Sequence, residues 1–169
     1  MSKSIIIFGS ARSNGHTRKA VDLALLRHEH KFVDLSSLVI EPFDYEQNNL
    51  DDDFILLMKN ILEYDQIFLA TPIYWYAPST RMKIFLDRWS DVIKEPHKKI
   101  GKALRGKRVF VISSNGVSPT KCFEEMIEQT CEYLSMRYMG CYNYHSGDDK
   151  QQILQSKHNL IKFRKKITG

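Results

Sequence analysis

The sequence offers little for metal, disulfide or membrane chemistry. It has three cysteines, Cys122, Cys131 and Cys141. Their odd number and the absence of a CxxC pair argue against a disulfide framework or a structural zinc site. Small buried thiols are the expectation. No apolar run approaches the roughly 20 residues a membrane span requires, so no membrane partner is expected. The opening Met1-Ser2-Lys3 passes directly into a short β-rich run. It lacks the long apolar stretch and cleavage site of a secretory signal, and a cytoplasmic location is expected. No repeat, linker or low-complexity segment interrupts the 169 residues, so residues 1–169 read as one domain.

Hydrophobic residues make up 43% of the chain, enough for a packed core. The formal net charge is +5, which suits anionic small molecules and is also compatible with nucleic acid. The basic residues gather at Lys94, Lys98, Lys99, Lys102, Arg105, Lys107 and Arg108, and again at Lys157, Lys162, Arg164, Lys165 and Lys166. No aromatic-rich RNA motif accompanies either group. Both read as solvated surface, and no nucleic-acid partner is expected.

Apolar periodicity predicts strands alternating with helices. Ser4 to Phe8, Lys31 to Leu35, Gln66 to Ala70, Arg108 to Ile112 and Tyr138 to Tyr144 read as strands. The first and fourth are apolar throughout, as strands buried on both faces must be. Helices are predicted over about Thr17–Arg27, from the Asp51-Asp52-Asp53 start through Leu62, from Pro78 to about Val92, over about Lys121–Met136 and over about Asp149–Lys166. Five strands and five helices in strict alternation imply an α/β fold, a parallel sheet covered on both faces. Ligands of such sheets bind beyond the carboxyl ends of the strands. The loops after the first, third and fourth strands are therefore the ones to inspect.

The first of these is Gly9-Ser10-Ala11-Arg12-Ser13-Asn14-Gly15-His16-Thr17. It is rich in glycine and small polar side chains, carries one arginine and stands just before a helix. Helix starts present unpaired backbone N–H groups and partial positive charge, which suits a phosphate. The spacing matches neither G-x-G-x-x-G nor G-x-x-x-x-G-K-[ST], so a mononucleotide phosphate is a better candidate than a dinucleotide or a triphosphate. An ordinary turn and cap is the plain alternative. The second loop, Pro72-Ile73-Tyr74-Trp75-Tyr76-Ala77-Pro78, puts three consecutive aromatics between two prolines. Extended neighbours point to opposite sides, so all three cannot face one interior. The loop reads as a stiff wall for a flat ring, or as a dimer patch. The third, Ser113-Ser114-Asn115-Gly116-Val117-Ser118-Pro119, has turn composition. Its Asn115 and the Gly116 amide stand ready to donate to a ligand's polar edge.

Residues Ile5 to Lys19 resemble the phosphate loop of the NAD(P)H-dependent FMN reductases, which often reads G-S-x-R-x-x-G-x-T. Pro72-Ile73-Tyr74 resembles that family's P-x-Y motif, and Lys83-Ile84-Phe85-Leu86-Asp87-Arg88 resembles its K-x-F-[IL]-D-R helix. The resemblance implies a flavodoxin-like three-layer sandwich with sheet order 2-1-3-4-5. It implies FMN as cofactor and NADH or NADPH as co-substrate, with hydride passing from the nicotinamide through FMN to a quinone or other small acceptor. Ser10, Arg12, Ser13, Asn14, His16 and Thr17 would surround the phosphate. Pro72, Ile73, Tyr74, Trp75 and Tyr76 would form the ring wall, and Ser114, Asn115 and Gly116 the pyrimidine side. FMN carries the chemistry, so no catalytic side chain is expected. A homodimer or homotetramer is implied. Some relatives bind an iron–sulfur cluster after the second strand, but Glu41 to Glu46 has no cysteine to hold one. Lys83, Asp87 and Arg88 are expected to be structural, with Lys83 and Asp87 paired along one helix face. His145 and His97 are expected to be solvated.

Two rival readings use the same fold. A flavodoxin-type electron carrier would be acidic for docking, and this chain is basic. A phosphoacceptor domain needs an acidic pair after the first strand, where Phe8-Gly9-Ser10 stands, and an aspartate after the third, where Thr71-Pro72-Ile73 stands.

Overall fold

The computed structural model describes residues 2–49, 51–116 and 120–168. Five parallel strands form the sheet: β1 (Ser4–Phe8), β2 (Lys31–Asp34), β3 (Gln66–Tyr74), β5 (Arg108–Asn115) and β6 (Arg137–His145). They lie in the order β2-β1-β3-β5-β6. These are the five strands expected from sequence, in the expected order. A two-residue strand, β4 (Ala77–Pro78), pairs antiparallel with the end of β3.

Alternation of side chains along the strands divides the core into two. Ile5 and Ile7 of β1, Ile67 and Leu69 of β3, and Val109 and Val111 of β5 face one side. They pack with α2 (Phe54–Ile61), α3 (Thr80–Asp87) and α5 (Lys121–Tyr133). Ile6, Phe8, Phe68, Phe110 and Ile112 face the other, against α1 (His16–Ala24) and α6 (Lys150–Thr168). Every residue of β1 is buried, which explains why its sequence shows no polar alternation.

Three expectations are corrected. The helix expected from Pro78 to Val92 is two elements: α3 from Thr80, then a 3-10 turn over Arg88–Ile93. Pro78 lies in β4, and Ser79 caps α3 by accepting from the Met82 N–H at 3.3 Å. A sixth helix, α4 (Lys98–Ala103), occupies a segment read only as solvated charge. The strict alternation is accordingly broken by β4 and α4. The third strand also runs on to Tyr74, four residues beyond its expected end.

The K-x-F-[IL]-D-R segment is structural, as anticipated. Lys83 Nζ meets Asp87 Oδ1 at 2.5 Å on the exposed face. Arg88 is fully buried and pairs with Asp52 and Asp91. It also donates to the carbonyls of Glu41, at 2.9 Å, and Asn49, at 3.3 Å. One guanidinium thus fixes the irregular segment before α2 to the end of α3. Arg88→Met would leave two buried carboxylates without their counter-charge. The expected loss is about 3–5 kcal/mol, read as a fall in the urea midpoint. A loss below about 1 kcal/mol would contradict this role.

Candidate active site

At the carboxyl ends of the strands lies a cavity of about 340 Å³, near the lower end of the roughly 300–1,000 Å³ typical of ligand sites. Ser10, Arg12, Gly15, His16 and Thr17 line it from the β1–α1 loop, Pro72, Ile73 and Tyr74 from β3, Ser114, Asn115 and Gly116 from β5, and Ser146 after β6.

One wall is the start of α1. Its N-cap is Gly15, with no side-chain cap bond and no acidic residue in the first turn. The first backbone N–H groups of the helix are therefore left without an internal partner. No Asp or Glu lines the cavity, while Arg12 and His16 do. Ser10 and Thr17 are buried, and the Thr17 and Ser114 hydroxyls lie 2.8 Å apart, joining α1 to the end of β5. Uncapped N–H groups, hydroxyls, one guanidinium and no carboxylate make a donor set that fits a phosphate.

Ser13 and Asn14, expected at the phosphate, do not line the cavity. Ser13 donates instead to Asp34 Oδ2 at 2.8 Å, tying the loop to β2. Burial alone would raise the Asp34 pKa. The Ser36 N–H and side chain, the Ser13 hydroxyl and the charge of Arg81 outweigh it, and the carboxyl is held below its ordinary value. This bond set stabilises the fold above the ordinary carboxyl pKa and is lost as pH falls through the depressed value.

The aromatic segment is a tight hairpin. Tyr74 pairs with Ala77, and the two residues between them, Trp75 and Tyr76, have φ of 49° and 65°. Positive φ at both central positions is the pattern of a type I′ turn, which favours Asn-Gly. Bulky side chains there are strained by about 1–2 kcal/mol each. Trp75 is 95% exposed and Tyr76 is exposed. Of the expected ring wall, Pro72, Ile73 and Tyr74 line the cavity and Trp75 and Tyr76 do not.

The pyrimidine-side residues all line it, and Asn115 is held from β6. Asn143 Nδ2 donates to Asn115 Oδ1 at 2.9 Å, and Ser113 Oγ donates to Asn143 Oδ1 at 3.0 Å. The rest of the expected third turn, Val117, Ser118 and Pro119, lies outside the described residues. Sequence reasoning missed Gly15 and Ser146. The Ser146 N–H and hydroxyl both donate to the Asn115 carbonyl, at 2.7 and 2.8 Å. Its position after the last strand was the available signal. His145 is a further correction: it is buried, not solvated. Among the described residues no group of three or more His, Cys, Asp or Glu is placed to hold a metal.

A family model described as NADPH-dependent FMN reductase matches residues 2–151. The chain belongs to that family. It is therefore a flavoprotein oxidoreductase that uses NAD(P)H and FMN. It is 28% identical over 168 residues to YwqN of Bacillus subtilis (strain 168), named an NAD(P)H-dependent FMN-containing oxidoreductase, covering 94% of this chain and 92% of that protein. Two solved structures share the fold. One is the Trp repressor binding protein from Bacillus subtilis, at TM-score 0.75 and 24% identity, covering 96% of this chain and 99% of that one. The other is an FMN-dependent NADH-azoreductase from Bacillus anthracis in complex with FMN, at TM-score 0.75 and 10% identity, covering 100% of both chains.

In this reductase the hairpin strain yields a stability test. Replacing Trp75-Tyr76 by Asn-Gly is expected to stabilise the protein by about 1–2 kcal/mol, read from denaturant unfolding. Unchanged stability would mean the two aromatics are not strained.

Proposed function

We propose that the cavity between β1, β3 and β5 holds FMN with its phosphate at the start of α1, and that the enzyme passes electrons from NAD(P)H to a quinone or other small acceptor. The observation that carries this reading is the uncapped, carboxylate-free start of α1 opening into the cavity. The azoreductase relative, solved with FMN, supports it.

FMN, when bound, supplies a two-electron centre able to take and return hydride. The chain's own residues do the holding. The α1 N–H groups, the Ser10 and Thr17 hydroxyls and Arg12 would bind the phosphate. Ile73 and Tyr74 would flank the ring. Asn115, with its Oδ1 already accepting from Asn143, would offer N–H to the pyrimidine edge, where negative charge gathers on reduction. Pro72 stiffens the end of β3 and limits the freedom lost on binding.

Trp75 and Tyr76 are exposed, and a hollow of about 530 Å³, lined in part by Trp89, Met126 and Tyr133, reaches Cys122, whose Sγ lies 3.8 Å from the Tyr76 carbonyl oxygen. We read this side as the homodimer or homotetramer contact, with the exposed aromatics covered by a second copy. The reading places the enzyme in the cytoplasm, where reduced nicotinamide is made.

Purified protein mixed with FMN is expected to oxidise NADH or NADPH with a quinone present. Arg12→Ala should weaken FMN binding at least tenfold, measured by flavin fluorescence quenching, with the unfolding midpoint of the flavin-free protein unchanged. Binding without steady-state turnover would instead identify an electron carrier.

A further inference from the structure

His145 ends β6 and is 8% exposed. Among the described residues neither ring nitrogen has a hydrogen-bond partner. A buried imidazole usually bonds at one nitrogen or both, and this one stands at the edge of the cavity. It pairs in register with Asn115 and precedes Ser146, and both of those neighbours line the cavity. A Cβ added at Gly147 would lie 2.9 Å from its Nε2 and 3.3 Å from the Gly116 carbonyl oxygen. The imidazole edge therefore occupies the space beside the pyrimidine-side loop, and any side chain at position 147 would press on it.

Among the described residues its surroundings offer no bonded counter-charge. On α5, Glu124 faces this side of β6, and its carboxylate accepts from Thr120 Oγ1 at 2.7 Å. Lys121 of that helix is exposed and pairs with Glu125 at 3.5 Å. The turn into α6 brings Asp148, Asp149 and Lys150, and Asp149 Oδ1 accepts from the Gln151 N–H at 2.8 Å. A protonated His145 would thus be a buried cation with no bonded partner among the described residues while the ring system is uncharged. The phosphate's charge is the same in both redox states, and the negative charge that appears on reduction is that of the ring.

We propose that His145 takes up one proton from solvent when the cofactor in the adjoining cavity is reduced, and releases it on reoxidation. This rests on the FMN reading given above. The hydride delivers two electrons and one proton, and NAD(P)H becomes NAD(P)+. The reduced ring system keeps one unit of negative charge, which the proton added to an imidazole nitrogen of His145 balances. Nothing else is oxidised or reduced. His145 touches neither the reacting atoms nor the cavity surface, so it is a positioning residue that sets charge.

The test compares wild type with His145→Gln, both loaded with FMN. The His145 ring is titrated by NMR in the oxidised and the fully reduced protein. The midpoint potential of bound FMN is followed over the same pH range. The expected result is titration at higher pH in the reduced protein. Between the two titration points the potential should carry one extra proton per two electrons, a tenfold change per pH unit, or about 30 mV. His145→Gln should lose that segment of the curve while still binding FMN. Coincident titrations in the two redox states, or superimposed potential curves for the two proteins, would overturn the inference. If His145→Gln does not fold, the wild-type titration decides alone. Failure of wild type to bind FMN would overturn the cofactor reading and this inference together.

Discussion

The structure turns on a set of backbone N–H groups that the protein leaves unpaired. A helix start normally meets a capping side chain or an acidic residue. Here α1 begins with Gly15, no side-chain cap and no acid in its first turn. The parallel sheet aims this end at the site, because each crossover helix starts where its strand stops. An anion would suit them. The surrounding choices agree with that: Arg12 and His16 line the cavity, Asp34 is occupied by Ser13 and Ser36, and the Thr17–Ser114 contact closes the floor.

Two other features depart from what local chemistry alone would select. Trp75 and Tyr76 occupy a turn that favours Asn-Gly, and the His145 ring is buried without a hydrogen-bond partner among the described residues. Local strain and orphaned polar groups concentrate at functional sites. Both lie at the carboxyl edge of the sheet, on either side of the same cavity. By contrast, the buried charge cluster around Arg88 is well supplied with partners, and its place in the fold is that of a fastening.

Much of the fold was legible in the sequence because β1, β3 and β5 are buried on both faces and their apolar runs are continuous. The first loop stood out too, as a glycine-bearing polar segment between a buried strand and a helix, and it lines the cavity through Ser10, Arg12, Gly15, His16 and Thr17. What failed to show has physical causes. A two-residue strand such as β4 leaves no periodic signal. The six residues of α4 include Lys98, Lys99 and Lys102, which read as solvated charge. The turn at Trp75 and Tyr76 needs positive φ, which no bulky side chain advertises. The β6 side was hidden by a register shift: Val109 pairs with Tyr138 but Phe110 with Gly140, where φ is +115°. The extra residue moves each later side chain to the opposite face. That shift places His145, not Tyr144, beside Asn115.

The central claim is that the start of α1 grips a phosphate. It is tested most directly by comparing FMN with riboflavin, which has the same ring and no phosphate, by calorimetric titration at low and high salt. The account predicts that riboflavin binds at least a hundredfold more weakly and that salt weakens FMN binding far more than riboflavin binding. Equal affinities for the two, with the same salt response, would contradict it.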